Sequence, residues 1–280
     1  LLVAVLPLTG LAAFYLASFE ASLHESVLAT MVTIADKKAD QIDRYMLERR
    51  ADARLLGQRN LIRHGLAQLE QAYHAGGLHS LLYQAAARPL QNDLSISYEA
   101  GNFHDFLLMD TAGNVIFSLR HEPDLGTNLL TGAYRDTSLA RGFSLTLQSL
   151  QTRLSEFTPY APSGNRPTAF LTTPVLDRDK IIGVLALRLD VNKLESVTAD
   201  HTGLGRTGET VLAQRDGNEA FYTGPLRHIR DAAYRYRVPL EAAALPMQKA
   251  LAGDYGNGFV RDYAGVDCVA AWRYLPELRW

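Results

Sequence analysis

Two stretches of this chain are built alike, and the likeness narrows the choice of folds. Phe106 to Ser118 reads FLLMDTAGNVIFS and Val211 to Thr223 reads VLAQRDGNEAFYT. Each has an apolar strand, a turn carrying Gly-Asn and a second strand containing phenylalanine, which is the pattern of a β-hairpin. After the first come helical and loop residues and then AFLTTPVLDRDKIIGVLALRL, two strands around the polar turn Asp177 to Lys180. After the second come a helical EAAALPMQKALAG and GNGFVRDYAGVDCVAAWRYL, two strands around Asp262 to Gly265. Hairpin, helix and hairpin, given twice, predict two α+β modules in tandem, each an antiparallel sheet flanked by helices.

The run GLGRTGETVLAQRDGN, Gly203 to Asn218, contains a G-x-G-x-x-G. In a dinucleotide-binding unit such glycines follow a strand and open a helix whose N-terminus holds the pyrophosphate. Here the order is reversed: VNKLESVTAD before it reads as a short helix, and Glu209 to Gln214 alternates like a strand that runs into the turn Asp216-Gly217-Asn218. The glycines are therefore expected to supply tight turns rather than a phosphate cradle.

Composition removes several classes of function. With 280 residues, 47 % of them hydrophobic, the chain can bury the cores of two modules. Its 28 basic and 30 acidic residues give a net charge of −2, and no basic stripe supports nucleic-acid binding. The single Cys268 excludes an intrachain disulfide and a cysteine zinc site, and its apolar strand predicts a buried, inert thiol. His121-Glu122-Pro123 lacks the second histidine and the helix of a zinc motif, and no G-x-S-x-G occurs. Of the eight histidines, His24, His64, His74 and His79 fall in the helical N-terminal part, where solvated surface positions are expected. Arg49-Arg50 with Glu48 and Asp52 reads as a salt-bridged helix face. No active site, metal site or cofactor is predicted.

Residues 1–19, LLVAVLPLTGLAAFYLASF, carry no charge and approach the ~20 apolar residues that a spanning helix needs. A secretory signal peptide is the alternative, but there is no basic n-region and no convincing cleavage site. The absence of an initiator methionine suggests a start inside the membrane segment, and the flank with Glu20, His24 and Glu25 and no lysine before Lys37 favours the non-cytoplasmic side. From there to about residue 65, Leu23, Val27, Met31, Ile34, Ile42, Tyr45 and Leu55 recur mostly at steps of three and four, predicting a long helix. A helix of about 30 residues spans roughly 45 Å. Its apolar face would pack on its own module or on the same helix of a second subunit.

In their order and spacing, GLGRTGETVLAQRDG, FHDFLLMDTAGNVIFS with DLGTNL, the AFLTTPV and IIGVLAL strands and the terminal AAWRYLPELRW resemble the double Cache sensor domains, PAS-like extracytoplasmic input domains of bacterial receptors. The resemblance covers roughly residues 20 to 280. It implies a transmembrane helix at 1–19, a signalling and dimerisation helix at 20–65, a membrane-distal module at 66–200 and a membrane-proximal module at 201–280. It also implies a second spanning helix after Trp280, a homodimer anchored in the inner membrane, and a periplasmic or extracellular sensor that is not itself an enzyme. Histidine kinases, chemoreceptors and cyclic-dinucleotide enzymes are the family's outputs, of which family frequency favours the kinase.

By the resemblance, a ligand would sit in the distal module on one face of the sheet. Along IIGVLALRLD, Leu185, Leu187 and Leu189 share one face, and Val184, Ala186 and Arg188 the other. The amino-acid-binding branch of the family places an Asp where Arg188 stands; Tyr160 matches its tyrosine, Pro162 replaces its second acid, and its Arg-x-Trp-Tyr motif is missing from TSLARGFSL. Arg188, Tyr160, Phe170, Thr172 and Arg141 are therefore the candidate ligand-binding residues, for an anionic carboxylate rather than an amino acid. The plainer alternative has Arg188 at a strand end, in solvent or paired with Asp190 or Glu195. Rival functions are a membrane-tethered enzyme and a ligandless domain that dimerises or binds a periplasmic protein, with its distal pocket filled by Phe157, Phe170 and leucines.

Overall fold

A computed structural model describes residues 2–99, 103–189 and 191–280, with side chains from residue 9 onward. The chain divides into a middle unit, Tyr45–Glu195, and a terminal unit made of Leu1–Arg44 with Ser196–Trp280. Helix α1 (Leu2–Gly57) supplies residues to both. It ends short of residue 65, and a separate α2 (Asn60–Gly76) follows. At the break a Cβ on Gly57 would lie 2.8 Å from Thr173 Cγ2 and 3.2 Å from the Pro174 carbonyl, so glycine lets the helix end approach that strand.

In the middle unit, α2 packs against α3 (Leu81–Glu99), which carries Pro89 in its interior. Their contact is close because Gly65 lacks the Cβ that would come within 2.7 Å of Leu90. Then follow β1 (Asp105–Met109), β2 (Val115–Ser118), α4 (Ser138–Ser149), β3 (Arg153–Leu154), β4 (Thr158–Tyr160), β5 (Arg166–Thr168), β6 (Phe170–Asp177) and β7 (Lys180–Arg188). Five strands form one antiparallel sheet in the order β2-β1-β7-β6-β3, while β4 and β5 make a separate ribbon. Register sets Arg188 opposite Asp105 on one side and Phe170 on the other, and Ala186 between Leu107 and Thr172.

The two faces of this sheet follow the strand parity. Leu107, Met109, Phe170, Val184 and Ala186 form a buried cluster with Leu139, Ala140 and Phe143 of α4. Thr137 caps α4, its side chain accepting a hydrogen bond from the Ala140 amide at 3.3 Å. The opposite face meets α2: a Cβ on Gly183 would come within 2.7 Å of Leu66 Cδ2 and 2.3 Å of the Met109 carbonyl, so that strand crossing tolerates only glycine. The expected Arg49 pairing holds, with Asp52 at 2.8 Å.

In the terminal unit, α5 (Asn192–Ala199) leads in from the middle unit to the glycine-rich connection. Gly203 and Gly205 adopt φ of 79° and 68°, as turn glycines do, and no helix opens after them. Next come β8 (Ala213–Asp216), β9 (Glu219–Tyr222), β10 (Arg237–Pro239), α6 (Leu245–Leu251), β11 (Gly256–Arg261) and β12 (Asp267–Trp272). These strands form two pieces, β10-β9-β8 and β11-β12. The α1 residue Lys38, 8 % exposed, donates from Nζ to the Val197 carbonyl at 2.6 Å and the Asp200 carbonyl at 2.5 Å, placing a cation at the C-terminus of α5. Arg273 pairs with Asp36 of α1. Cys268 is half-buried rather than buried, on a strand with no fully buried position; burial first, then Asp262 and Asp267, pushes its thiol pKa up.

The apolar face expected of α1 is uneven: Ile42 and Met46 are buried, while Leu11, Phe14, Tyr15, Leu16, Phe19, Leu23 and Leu55 are exposed. Among the described residues no helix is long and apolar enough to cross a membrane. Part of the expected 1–19 segment, and Asp190, lie outside the described residues.

Candidate functional site

At the C-terminal end of β7, Arg188 is 4 % exposed, and a guanidinium hidden to that degree needs an anion. It finds one in Glu122, at 2.5 Å from its Nη1. Glu122 lies in the loop that leaves β2, just after His121, whose φ is 52°, and its other oxygen is 3.6 Å from Arg120 Nε. Two residues on, buried Asp124 accepts the Tyr160 hydroxyl at 2.6 Å through Oδ2, while its buried Oδ1 has no hydrogen-bond partner. Asp105, opposite Arg188 in the ladder, accepts from the Phe106 amide at 2.7 Å, the Ser118 hydroxyl at 2.9 Å and the Arg120 amide at 3.1 Å. One carboxylate, Glu122, therefore pairs with the buried arginine, while Asp105 stands opposite it in the ladder and Asp124 is bonded to Tyr160.

Burial controls the protonation of this cluster. It pushes Asp105 up to about 6 against the pull of its three donors, and the Asp124 charge adds to the rise. Burial also raises Asp124, with the Tyr160 hydrogen bond opposing. Tyr160 itself is held far above the ordinary phenol range, first by burial and then by the neighbouring Asp124.

Of the five candidate residues, three come together: Arg188, Phe170 across the ladder from it, and Tyr160, whose ring meets Phe170 edge-on at 4.9 Å between centroids. Thr172 is on the same face but its hydroxyl is occupied, 2.7 Å from the Thr146 hydroxyl and donating to the Gly142 carbonyl at 3.1 Å, which ties α4 to β6. Arg141 is exposed and donates to the Asp136 carbonyl at 2.9 Å. Sequence reasoning missed Asp105, Glu122 and Asp124. Asp105 becomes visible only once β1 pairs with β7; of the two loop acids, Asp124 opens the DLGTNL run and Glu122 lies two residues before it.

A cavity of about 280 Å³ lies in the terminal unit, bounded by Met31, Ile34 and Ile42 of α1, Val211, Tyr222 and Met247. Its wall is mostly apolar, with Lys38 and Glu209 at its edge. Glu209 is engaged by the Tyr263 hydroxyl at 2.6 Å and the Arg227 amide at 2.9 Å. The indole Nε1 of Trp272, another lining residue, is buried without a hydrogen-bond partner.

The family model described as Cache domain matches residues 19–280 of the chain. No curated protein matches it. Among solved structures, the chain is similar to the sensor domain of the Vibrio cholerae histidine kinase DctB, with 19% identity and a TM-score of 0.50 over 71% of this chain and 67% of that one. It is similar over 90% of its length, and 94% of the other's, to the extracellular domain of mmHK1S-Z2, assigned as a histidine kinase, with 13% identity and a TM-score of 0.57. An extracellular ligand-binding receptor from Desulfohalobium retbaense is also similar, with 13% identity and a TM-score of 0.50; 82% of this chain is covered but only 36% of that one. At these identities the likeness is one of fold.

Proposed function

The chain belongs to the Cache domain family, and from that membership we propose that it is the extracytoplasmic input domain of a bacterial transmembrane receptor, binding a small carboxylate at Arg188. The observation that carries the ligand class is the buried Arg188–Glu122 pair. In this reading the Glu122 carboxylate occupies the guanidinium until a ligand carboxylate replaces it, and the loop from β2 is then released. Tyr160, Phe170 and the unpartnered Oδ1 of Asp124 supply the remaining contacts, Asp124 accepting a hydroxyl or amide hydrogen from the ligand. Since the ligand and Glu122 compete for one cation, binding and loop position are linked, and such couplings are typically ~1 to 3 kcal/mol.

The same reading makes residues 45–195 the membrane-distal module and the terminal unit the proximal one, with no catalysis in either. The exposed Leu11, Phe14, Leu16 and Phe19 of α1 support burial of that stretch in lipid or against a second copy of the chain. The output is a cytoplasmic histidine kinase, by analogy with the kinases to which DctB and mmHK1S-Z2 belong. A second reading, a ligand in the terminal unit, is favoured by the cavity of about 280 Å³ there.

Thermal unfolding of the chain with mono- and dicarboxylates, amino acids, amines and sugars tests both. A ligand at 100 times its Kd adds ~2.7 kcal/mol. The expected result is a rise in Tm with carboxylates that is enlarged in Glu122→Gln and abolished in Arg188→Ala. A rise that survives Arg188→Ala transfers the site to the terminal unit, and a response to amines alone ends the carboxylate reading.

A further inference from the structure

Away from the Arg188 cluster, the middle unit gathers a second polar group in which a histidine takes part. Glu70 and His74 are four residues apart on α2 and share one of its faces. Asp110, 1 % exposed, stands where β1 ends and its turn begins. One ligand atom from each of the three lies within 4.8 Å of the other two, and His74 Nε2 is 3.8 Å from Asp110 Oδ2. Sequence position suggested a solvated His74, and its side chain is indeed 57% exposed, but its Nε2 is turned to a buried acid.

We propose that Glu70, His74 and Asp110 form a binding site for a divalent transition-metal ion, with zinc the best match. A zinc ion ~2.1 Å from each donor in a tetrahedron holds the donor atoms about 3.4 Å apart, so only small side-chain adjustments separate the present spacing from a bound one. Two carboxylates and a neutral imidazole carry a charge of −2, which a dication cancels. One nitrogen and two oxygens suit zinc or manganese and do not suit copper(I), which prefers sulfur.

The buried ligand is held in place before any metal arrives. The Asn114 backbone amide donates to Asp110 Oδ1 at 2.8 Å and the Asn114 side-chain amide donates to Oδ2 at 2.7 Å. Asn114 is itself held, its Oδ1 accepting from Asn128 at 3.0 Å. Gly113, with φ of 87°, closes the turn by donating its amide to the Asp110 carbonyl at 3.1 Å. Such outer contacts orient a metal-ligating carboxylate, while the Tyr73 ring, 5.6 Å from the imidazole, flanks His74. The metal would join α2 to the β1–β2 turn and leave at least one coordination position to water.

Chelator-treated chain without a histidine tag, titrated calorimetrically with ZnCl2 and MnCl2, decides the matter. The expected result is one equivalent of zinc, bound at least tenfold more weakly by His74→Ala and by Glu70→Gln, with Asn114→Ala in between. His74 is exposed and Glu70 half-buried, and Glu70→Gln keeps the side-chain size, so the metal-free Tm of both variants should stay near that of the parent. Cobalt(II) at the same site should give visible d–d bands that zinc abolishes. No saturable binding, or equal affinity in parent, His74→Ala and Glu70→Gln, overturns the proposal and leaves His74 as an ion-pair partner of Asp110.

Discussion

The sheets of the two units start from the same pair of hairpins and end differently. In the middle unit, β7 of the second hairpin pairs with β1 of the first along five residue pairs, and one five-stranded ladder results. In the terminal unit the corresponding strands are β12 and β8, and among the described residues no ladder joins them. Residues 210–212, just before β8, and β12 line the cavity instead. The burial of the strands accounts for the contrast. β1 is buried at every position and β7 over its last six, with α2 on one side and α4 on the other, whereas β11 alternates between half-buried and exposed and β12 is at best half-buried. A hairpin is encoded by its own residues, but joining two hairpins needs apolar surface that both can bury.

The sharpest way to break this comparison is through the cores. Phe170→Ala, in the closed sheet, should cost about 3–5 kcal/mol, whereas Phe259→Ala on β11, 55% exposed, should cost about 0.5 kcal/mol or less. Both of the chain's tryptophans, Trp272 and Trp280, are in the terminal unit, so indole fluorescence reports that unit and far-UV circular dichroism reports both. In urea, Phe170→Ala should move the dichroism transition and leave the fluorescence transition in place; equal movement of the two would show one cooperative core.

A pH series sharpens the comparison, because one carboxylate in each unit, Asp105 and Asp36, titrates with opposite sign. Asp105 is raised from 3.8 to about 6 by burial, so the folded middle unit holds its proton more tightly than the unfolded chain does. The stability this gives is fully present below the unfolded pKa and is lost as pH rises through 6, by roughly 3 kcal/mol at most. Asp36 runs the other way: its hydrogen bond from Arg273 lowers its pKa, so its contribution is present above 3.8 and lost as pH falls through the folded value. Asp105→Asn should flatten the dependence between pH 4 and 6 seen by dichroism and leave the fluorescence transition unaltered. A parent protein with no such dependence would place the Asp105 carboxyl in water.

A smaller gain is expected in the terminal unit. Ala39→Leu on α1 projects into the cavity and should raise the fluorescence-detected stability by about 1 kcal/mol, as cavity-filling changes commonly do. The same change lowers Tm if water or a ligand fills that space.

The hairpins were legible because their information is local. Asp216-Gly217-Asn218 and Asp110 to Gly113 place glycines with φ of 59° and 87° where the turns need them, and alternation along β7 put Val184, Ala186 and Arg188 on one face. The glycine-rich connection was legible for the same reason. The partners of Arg188 were not: Glu122 is 66 residues away on a loop, and strand parity says which face a side chain takes but not which loop folds over it. For Arg141, the turning of α4 by about 100° per residue buries Leu139, Ala140, Gly142 and Phe143 and leaves that arginine outside.

By itself, the sequence determined the long N-terminal helix, the doubled hairpin pattern and the family, since turn chemistry and side-chain period act over a few residues at a time. Only the tertiary structure decided that one sheet closes and the other stays in two pieces, that Glu122 of a distant loop pairs with Arg188, and that Glu70 and His74 of a helix meet Asp110 of a distant turn. Those outcomes depend on which apolar faces are buried together, and that is a property of contacts between segments far apart in the chain.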